Sequence, residues 1–396
     1  MNALASLGII LLFALLAGHL VKFVRVPEVT GYILAGVVVG PSFLGWISHE
    51  NLATLQVFSE VALGLILFSI GAVFEMSKFR ELGRRALLVT IIESLLTAVL
   101  VSGGMLLAGQ PWPVALLLGA ISMETAAATT LMVMRECNAK GALTDTLTGI
   151  IAINNILALT IFSILAAVID LTSTGHTVYE AIFPLVWQIV GSLALGYLIG
   201  VLLSFWAVQI TEHGETLILM SGAVLLCVGL SKWLDLSPLV SSLAVGATMV
   251  NLSGVSRKLF SALSRTDPPL YAIFFVIAGA DLNLSLLASL GVLGMVYVIG
   301  RSAGKFFGSR YGARYVGLPP LVQRNLGFAM FSQAGLAIGL VLVINERFPQ
   351  LGPIVTTVVL ASVAIFELFG PLAARFALVH SGEAHEQDHA PAVLLD

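Results

Sequence analysis

The chain has 396 residues, 58% of them hydrophobic and 10% charged, with a mean hydropathy of +1.01 and a net charge of −3. Soluble domains carry about 25% charged residues, so this chain has too little polar surface to face water on every side, and its near-neutral balance offers no footprint for nucleic acid. Long unbroken apolar runs exclude a β-barrel, whose strands alternate every second residue, and leave an all-α polytopic membrane protein.

The first run, "MNALASLGIILLFALLAGHLVKFVRV", has no basic stretch ahead of its apolar centre and no small-residue cleavage site, and so reads as a membrane helix rather than a signal peptide. Marking runs of about 20 apolar residues between polar breaks gives roughly thirteen crossings. They lie at 3–23, 29–46, 55–74, 86–108, 112–134, 143–170, 181–209, 215–233, 237–252, 260–281, 286–309, 322–345 and 351–379. Connections are short and no large hydrophilic insert occurs, so residues 1–379 form a single membrane domain. The remainder, 380–396, is a short polar tail, and its histidines read as a solvated segment rather than a metal site. Cys137 and Cys227 fall on non-adjacent crossings and read as apolar fillers.

Basic residues test the count, because Lys and Arg concentrate on the cytoplasmic side. With the N-terminus outside, the inner connections hold Lys22, Arg25, Lys78, Arg80, Arg84, Arg85, Arg135, Lys140, Arg257, Lys258, Arg265, Arg310, Arg314, Arg324 and Arg375. The outer connections hold only Lys232 and Arg347. This asymmetry predicts a C-terminus on the cytoplasmic side of the membrane.

Ionisable groups at membrane depth are costly and usually functional. Glu60 lies near the outer boundary and Glu93 near mid-span, both open to structural or functional roles. Glu124, in "ISMETAAATTLMVMRE", precedes a small, hydroxyl-rich stretch that can support a helix break; it reads as functional, with a structural carboxylate as the alternative. Asn154 and Asn155 sit midway along the sixth crossing and point about 100° apart on a helix. They read equally as hydrogen-bonding glue between helices or as ligands. Arg301 and Lys305 share a helix face at i, i+4; Lys305 is near enough to the cytoplasmic end to snorkel out, whereas Arg301 is deeper. Ser332, Gln333 and Gly335 make a second polar, helix-weakening cluster in the twelfth crossing. Glu367 is surrounded by apolar residues, where either a basic partner on the eleventh crossing or a purely structural role would fit. Two interrupted crossings seven apart fit an inverted repeat with its site at the midplane. No Walker loop, dinucleotide fingerprint, metal-ligand cluster or nucleophile elbow occurs, so neither an enzyme nor a resident cofactor or metal is expected.

The stretches "VPEVTGYILAGVVVGPSFLGW", "GLILFSIGAVFE", "FFVIAGADLNL", "GRSAGKFFG", "NLGFAMFSQAGLAIGL" and "FELFGPLAARFAL", in this order, resemble the monovalent cation:proton antiporters of the sodium/hydrogen exchanger superfamily. That superfamily includes bacterial sodium/proton antiporters and the membrane parts of potassium efflux proteins. The resemblance implies inverted repeats in which the fifth and twelfth helices are broken and cross. It also implies a core domain (roughly 55–170 and 286–379), a panel (roughly 3–46 and 181–281) forming a homodimer interface, and elevator-type exchange of a monovalent cation for protons.

At the implied site the sequence departs from the family. Where relatives carry Asp-Asp, Asn-Asp or Gln-Asp, this chain has Asn154-Asn155. Where they carry threonine, alanine and proline, it has Glu124, Thr125 and Ala126, and where proline usually precedes Gln333, it has Ser332. An amide does not titrate in the physiological range. The resulting expectation is that Glu124 replaces the missing aspartate as titrating ligand. Asn154, Asn155 and Thr125 would supply neutral oxygens, and Arg301 or Lys305 would compete for the carboxylate. The alternative is a relative that carries an anion or neutral solute, or leaks, without cation:proton exchange.

Overall fold

The computed structural model describes residues 3–24, 26–71, 74–173, 178–210, 212–254, 259–260, 267–282 and 291–384. Arg25, Arg257, Lys258, Arg265 and the tail beyond 384 lie outside the described residues. The described residues are helical, without strands. The helices are α1 (Ala3–Phe23), α2 (Glu28–Val39), α3 (His49–Gly71), α4 (Met76–Leu107), α5 (Trp112–Ser122), α6 (Ala127–Glu136), α7 (Ala142–Ser173), α8 (Val178–Ala207), α9 (His213–Trp233), α10 (Pro238–Leu252), α11 (Asp267–Asp281), α12 (Gly291–Tyr315), α13 (Pro320–Asn325), α14 (Gly335–Arg347) and α15 (Gly352–His380), with one 3₁₀ turn at Phe328–Met330.

Among the described residues, eight segments are long and apolar enough to cross a membrane, and four shorter apolar helices accompany them. With α12, which carries Arg301, Lys305, Arg310 and Arg314, these correspond one to one with the predicted crossings. Two of the crossings are interrupted where polar and small residues predicted it. The fifth divides into α5 and α6 around Met123–Ala126, and the twelfth into α13, the 3₁₀ turn and α14 around Phe331–Ala334. Large apolar side chains such as Leu12 and Phe23 of α1 and Phe205 and Trp206 of α8 are exposed in the isolated chain.

Helix starts follow local chemistry. Prolines at the first turns of α5 and α10 cost no hydrogen bond there, and the Ser237 hydroxyl caps α10 by accepting from Val240 N–H at 3.4 Å. The start of α7 is capped from far along the chain: the Glu383 carboxylate accepts from the N–H groups of Leu143 (2.7 Å) and Thr144 (2.8 Å) and from the Thr144 hydroxyl (2.8 Å). Gly141, with φ of +151°, passes beneath that carboxylate at a point where a Cβ would collide with it.

The broadest helix pairing, α4 with α12, is a glycine seam. Gly300, Gly304, Gly308 and Gly312 repeat every four residues and present one face. A Cβ on Gly308 would stand 2.7 Å from Glu93 Cα and one on Gly312 3.1 Å from Val89 Cα; on Gly304 it would overlap Thr97 Cα. On Gly300 the nearest atom is Val101 Cγ2 at 3.4 Å, an ordinary contact. Comparable close approaches join α2 to α11 at Gly36 and Gly279, and α3 to α10 at Gly71 and Gly246. Lipid gives no hydrophobic drive to helix association, so close backbone packing of this kind is what holds the bundle. We expect Gly304→Ala to destabilise the protein by about 1–3 kcal/mol through overpacking, and Gly300→Ala to be nearly neutral. Thermal unfolding of the two variants in detergent checks the contrast.

Candidate functional site at the meeting of two broken helices

A helix that stops inside a membrane leaves its last carbonyls without partners. At the end of α5 and just beyond it, the carbonyls of residues 121–124 are each served by a side chain, and Ile121 O also takes the Glu124 N–H at 3.3 Å. Gln333 Nε2 donates to Ile121 O (3.1 Å) and Arg301 Nε to Ser122 O (3.2 Å). Lys305 Nζ (2.5 Å) and Asn154 Nδ2 (3.0 Å) both donate to Met123 O, and Arg301 NH2 donates to Glu124 O (2.7 Å). The second break is held by the same guanidinium: Arg301 NH1 donates to Phe331 O (2.6 Å) and NH2 to Ser332 O (3.1 Å). The breaks also join directly, through Ala126 N–H to Ser332 O at 3.0 Å. Arg301 is fully buried, with the Phe366 ring 4.3 Å from its central carbon.

This arrangement corrects the expected charge partners. Arg301 makes no hydrogen bond to the Glu124 carboxylate; four of its five N–H donors go to main-chain carbonyls, two from each break, and it acts on the carboxylate as a nearby charge. Lys305 does not snorkel out: it is fully buried and pairs with the equally buried Glu93 at 2.6 Å, while also donating to Thr125 Oγ1 at 2.8 Å. Its four-carbon stem is directed inward because the face of α12 one residue beyond the glycine seam points at the break. Glu367 makes no ion pair among the described residues; its Oε1 accepts from Thr129 Oγ1 at 3.5 Å. Glu60, by contrast, sits at a partly exposed rim and pairs with Lys232 at 2.6 Å.

The Glu124 carboxylate is buried at the start of α14, where Oε2 accepts from Ala334 N–H at 3.4 Å. The N-termini of α6 and α14 therefore both meet near a carboxylate, and the C-terminus of α5 meets Arg301 and Lys305, as helix dipoles favour. Buried side chains around the junction comprise three carboxylates (Glu93, Glu124 and Glu367) and two cations (Arg301 and Lys305). Several buried oxygens there have no hydrogen-bond donor among the described residues: Asn154 Oδ1, Asn155 Oδ1, Ser332 Oγ, Gln333 Oε1 and Glu367 Oε2.

The two asparagines do different things. Asn154 is fully buried and donates to Met123 O and to Ser94 Oγ (3.0 Å each). An ionised aspartate has no donor and could not make either bond. Asn155, half-buried and a third of a turn away, lines a narrow pocket with Leu67, Leu159, Ser237, Leu239 and Leu336. This pocket continues into a cleft of about 250 Å³ between α7 and α14 on one side and α3, α8, α9 and α10 on the other, with Glu60, Lys232 and Gln188 among its polar lining. Sequence reasoning missed Tyr297, whose hydroxyl accepts from Gln333 Nε2 at 2.8 Å, and also Ser94 and Thr129. Tyr297 lies one turn before Arg301 on the same face, which was the available signal.

Two interrupted helices meeting inside a bundle, with buried charge and unpartnered oxygens at their junction, define the architecture of an inverted-repeat secondary transporter. The chain belongs to the sodium/hydrogen exchanger family: the family model described as "Sodium/hydrogen exchanger, transmembrane" matches residues 8–373. It is thus a multi-pass membrane protein of a transporter family. The same fold is found in the sodium proton antiporter MjNhaP1 from Methanocaldococcus jannaschii. In the structure at pH 8 the identity is 18% and the TM-score 0.71, over 96% of this chain and 98% of that one. In an electron-microscopy structure of the same antiporter the identity is 19% and the TM-score 0.70, over 97% and 99%.

We expect Arg301→Lys to lower thermal stability in detergent, because one ammonium cannot reach four carbonyls and each one left buried without a donor costs about 1–3 kcal/mol. Asn154→Asp loses two donor bonds and should also lower the unfolding temperature, whereas Asn155→Asp should fold normally.

Proposed function

We propose that the protein is a monovalent cation:proton antiporter, exchanging sodium or potassium, in which Glu124 alternates between proton and cation. The observation that carries this reading is the charge count at the junction. Lys305 and Glu93 neutralise each other, which leaves Arg301 facing Glu124 and Glu367. With both carboxylates ionised the junction holds one excess negative charge, which is expensive at low dielectric. One proton or one monovalent cation removes it. The unpartnered oxygens of Asn155, Gln333 and Ser332 suit a hard cation, since they accept without needing deprotonation. The geometry argues against the anion alternative, because the Arg301 guanidinium is occupied by carbonyls and stacked on Phe366.

The two-body reading follows the packing. In it α4–α7 and α12–α15 form the moving core, and α1–α3 with α8–α11 form the panel through which a homodimer would assemble. The glycine contact of α3 with α10 supports placing α3 in the panel rather than in the core. With the N-terminus outside, the cleft rimmed by Glu60 and Lys232 opens to the external face, so the conformation is outward-facing. The inner side is closed by bonds between the two bodies. Glu136 of α6 accepts from Glu28 N–H of α2 at 2.8 Å, Arg375 of α15 lies 3.9 Å from Glu136, and Lys22 and Tyr32 hold Glu28. An elevator movement that opens the inner side must break the Glu28–Glu136 bond.

The test is cation-dependent proton flux in proteoliposomes, read with a pH dye. Wild-type protein is expected to respond to sodium or potassium, and Glu124→Gln to lose at least tenfold of that response. Undiminished exchange by Glu124→Gln would overturn its role. Glu136→Gln keeps the shape but weakens the inner closure. It should raise the reactivity of the buried Cys137, next to Glu136 at the inner end of α6, toward a membrane-impermeant thiol reagent added from the inside.

A further inference from the structure

The charge count on which the proposed function rests depends on Glu367 as much as on Glu124. Glu367 lies on α15, is 3% exposed, and has one carboxylate oxygen with no donor among the described residues. A buried carboxylate oxygen left in that state is unfavourable unless it carries a proton or meets a cation. The other oxygen takes only a long hydrogen bond, 3.5 Å, from Thr129 in the first turn of α6; the next residue, Thr130, bonds back to Ala126 O at 3.1 Å. Glu367 is thus tied to the half-helix that begins just after Glu124, and the adjacent Phe366 ring covers Arg301.

The charged groups around it come from every side. Glu124 faces it from the first break. Arg301 lies on α12, with its donors committed to carbonyls, and the Lys305–Glu93 pair is closed on itself. Towards the far end of α15, Arg375 lies beside Glu136, and Glu28 holds Glu136 in turn. None of these cations bonds to Glu367.

We infer that Glu367 is a second ion-coupling carboxylate: it shares with Glu124 one exchangeable positive charge, a proton in one state and the transported monovalent cation in the other. When the cation arrives, the O–H bond of the protonated member breaks and the proton passes to water on the open side. The two ionised carboxylates then balance the cation and Arg301. When the cation leaves, one carboxylate takes a proton back from water, and the junction stays neutral throughout. Without Glu367, Glu124 and Arg301 neutralise each other alone, so nothing at the junction requires a proton or a cation.

The experiment compares wild type, Glu367→Gln, Glu367→Asp and Glu124→Gln in two measurements: cation-dependent proton flux in proteoliposomes across a pH series, and sodium- or potassium-dependent thermal stabilisation of the purified protein in detergent. A glutamine is neutral, nearly the same shape as a permanently protonated glutamate, and like it offers a carbonyl acceptor beside a donor. A merely structural Glu367 is therefore replaced by glutamine without effect, whereas a coupling Glu367 is not. We expect Glu367→Gln to unfold at the wild-type temperature without added ions, but to lose cation-dependent stabilisation and at least tenfold of the flux. Glu367→Asp should retain exchange with a displaced pH profile. Wild-type flux, pH profile and cation stabilisation in Glu367→Gln overturn the inference; if Glu124→Gln is still inactive, Glu124 exchanges proton for cation alone, and the proposed function then rests on that loss of flux and no longer on the charge count. Should Glu367→Gln fail to fold, an unshifted pH profile in Glu367→Asp overturns the inference instead. Absence of exchange in the wild type is a failure of the proposed function, and it overturns this inference as well.

Discussion

Four carbonyls, two from each broken helix, converge on the guanidinium of Arg301. A membrane offers no water to main-chain groups, so a helix can stop at the midplane only if something else accepts the cost of its open end. Arginine suits the position because its donors are spread over a rigid fork that can reach two chains at once. Once Arg301 is in place, the first break exposes Glu124 to the N-terminus of α14, the second aligns Ser332 with Ala126, and the neighbouring lysine is left to Glu93. The chemistry at the junction is a consequence of how the breaks are held.

Seen this way, the asparagine pair is less anomalous than its sequence suggests. Asn154 belongs to the group of side chains that close off α5, together with Gln333, Arg301 and Lys305, and its amide nitrogen is what the position requires. Asn155 lines the access pocket, and its Oδ1 has no donor among the described residues. The carboxylates buried at this junction lie instead on the break itself, at Glu124, and on α15, at Glu367. The positions at 124–126, 154–155 and 332 where the sequence departs from the pattern its resemblance implies all fall within this one junction.

Much of this could be read from the sequence. The thirteen crossings follow from hydropathy, and both interruptions from clusters of small and polar residues in otherwise apolar runs, because the cost of such residues in lipid makes them conspicuous. The partners of the charged residues could not be read. Arg301 and Lys305 are adjacent on one face, yet one serves main-chain carbonyls and the other a carboxylate on α4. That division depends on the distance between helices, which glycines at 300, 304, 308 and 312 set and which hydropathy does not record. Nor could the role of Glu383 be seen, since nothing local connects it with a helix start some 240 residues earlier. Tyr297, Ser94 and Thr129 were missed because a single hydroxyl in a membrane helix is common and usually bonds to its own backbone.

The glycine seam between α4 and α12 has a consequence for how this part of the protein can vary over evolutionary time. Each residue advances an α-helix by about 100°. A one-residue insertion or deletion within Gly300–Gly312 would therefore turn a side chain into α4 and, in the same step, swing Arg301 or Lys305 out of the junction. Substitution can proceed one position at a time along the outer face of α12, where Ile299 and Phe307 meet lipid. Length cannot drift at all, so the spacing within "GRSAGKFFGSRYG" should change more slowly than the residues that fill it.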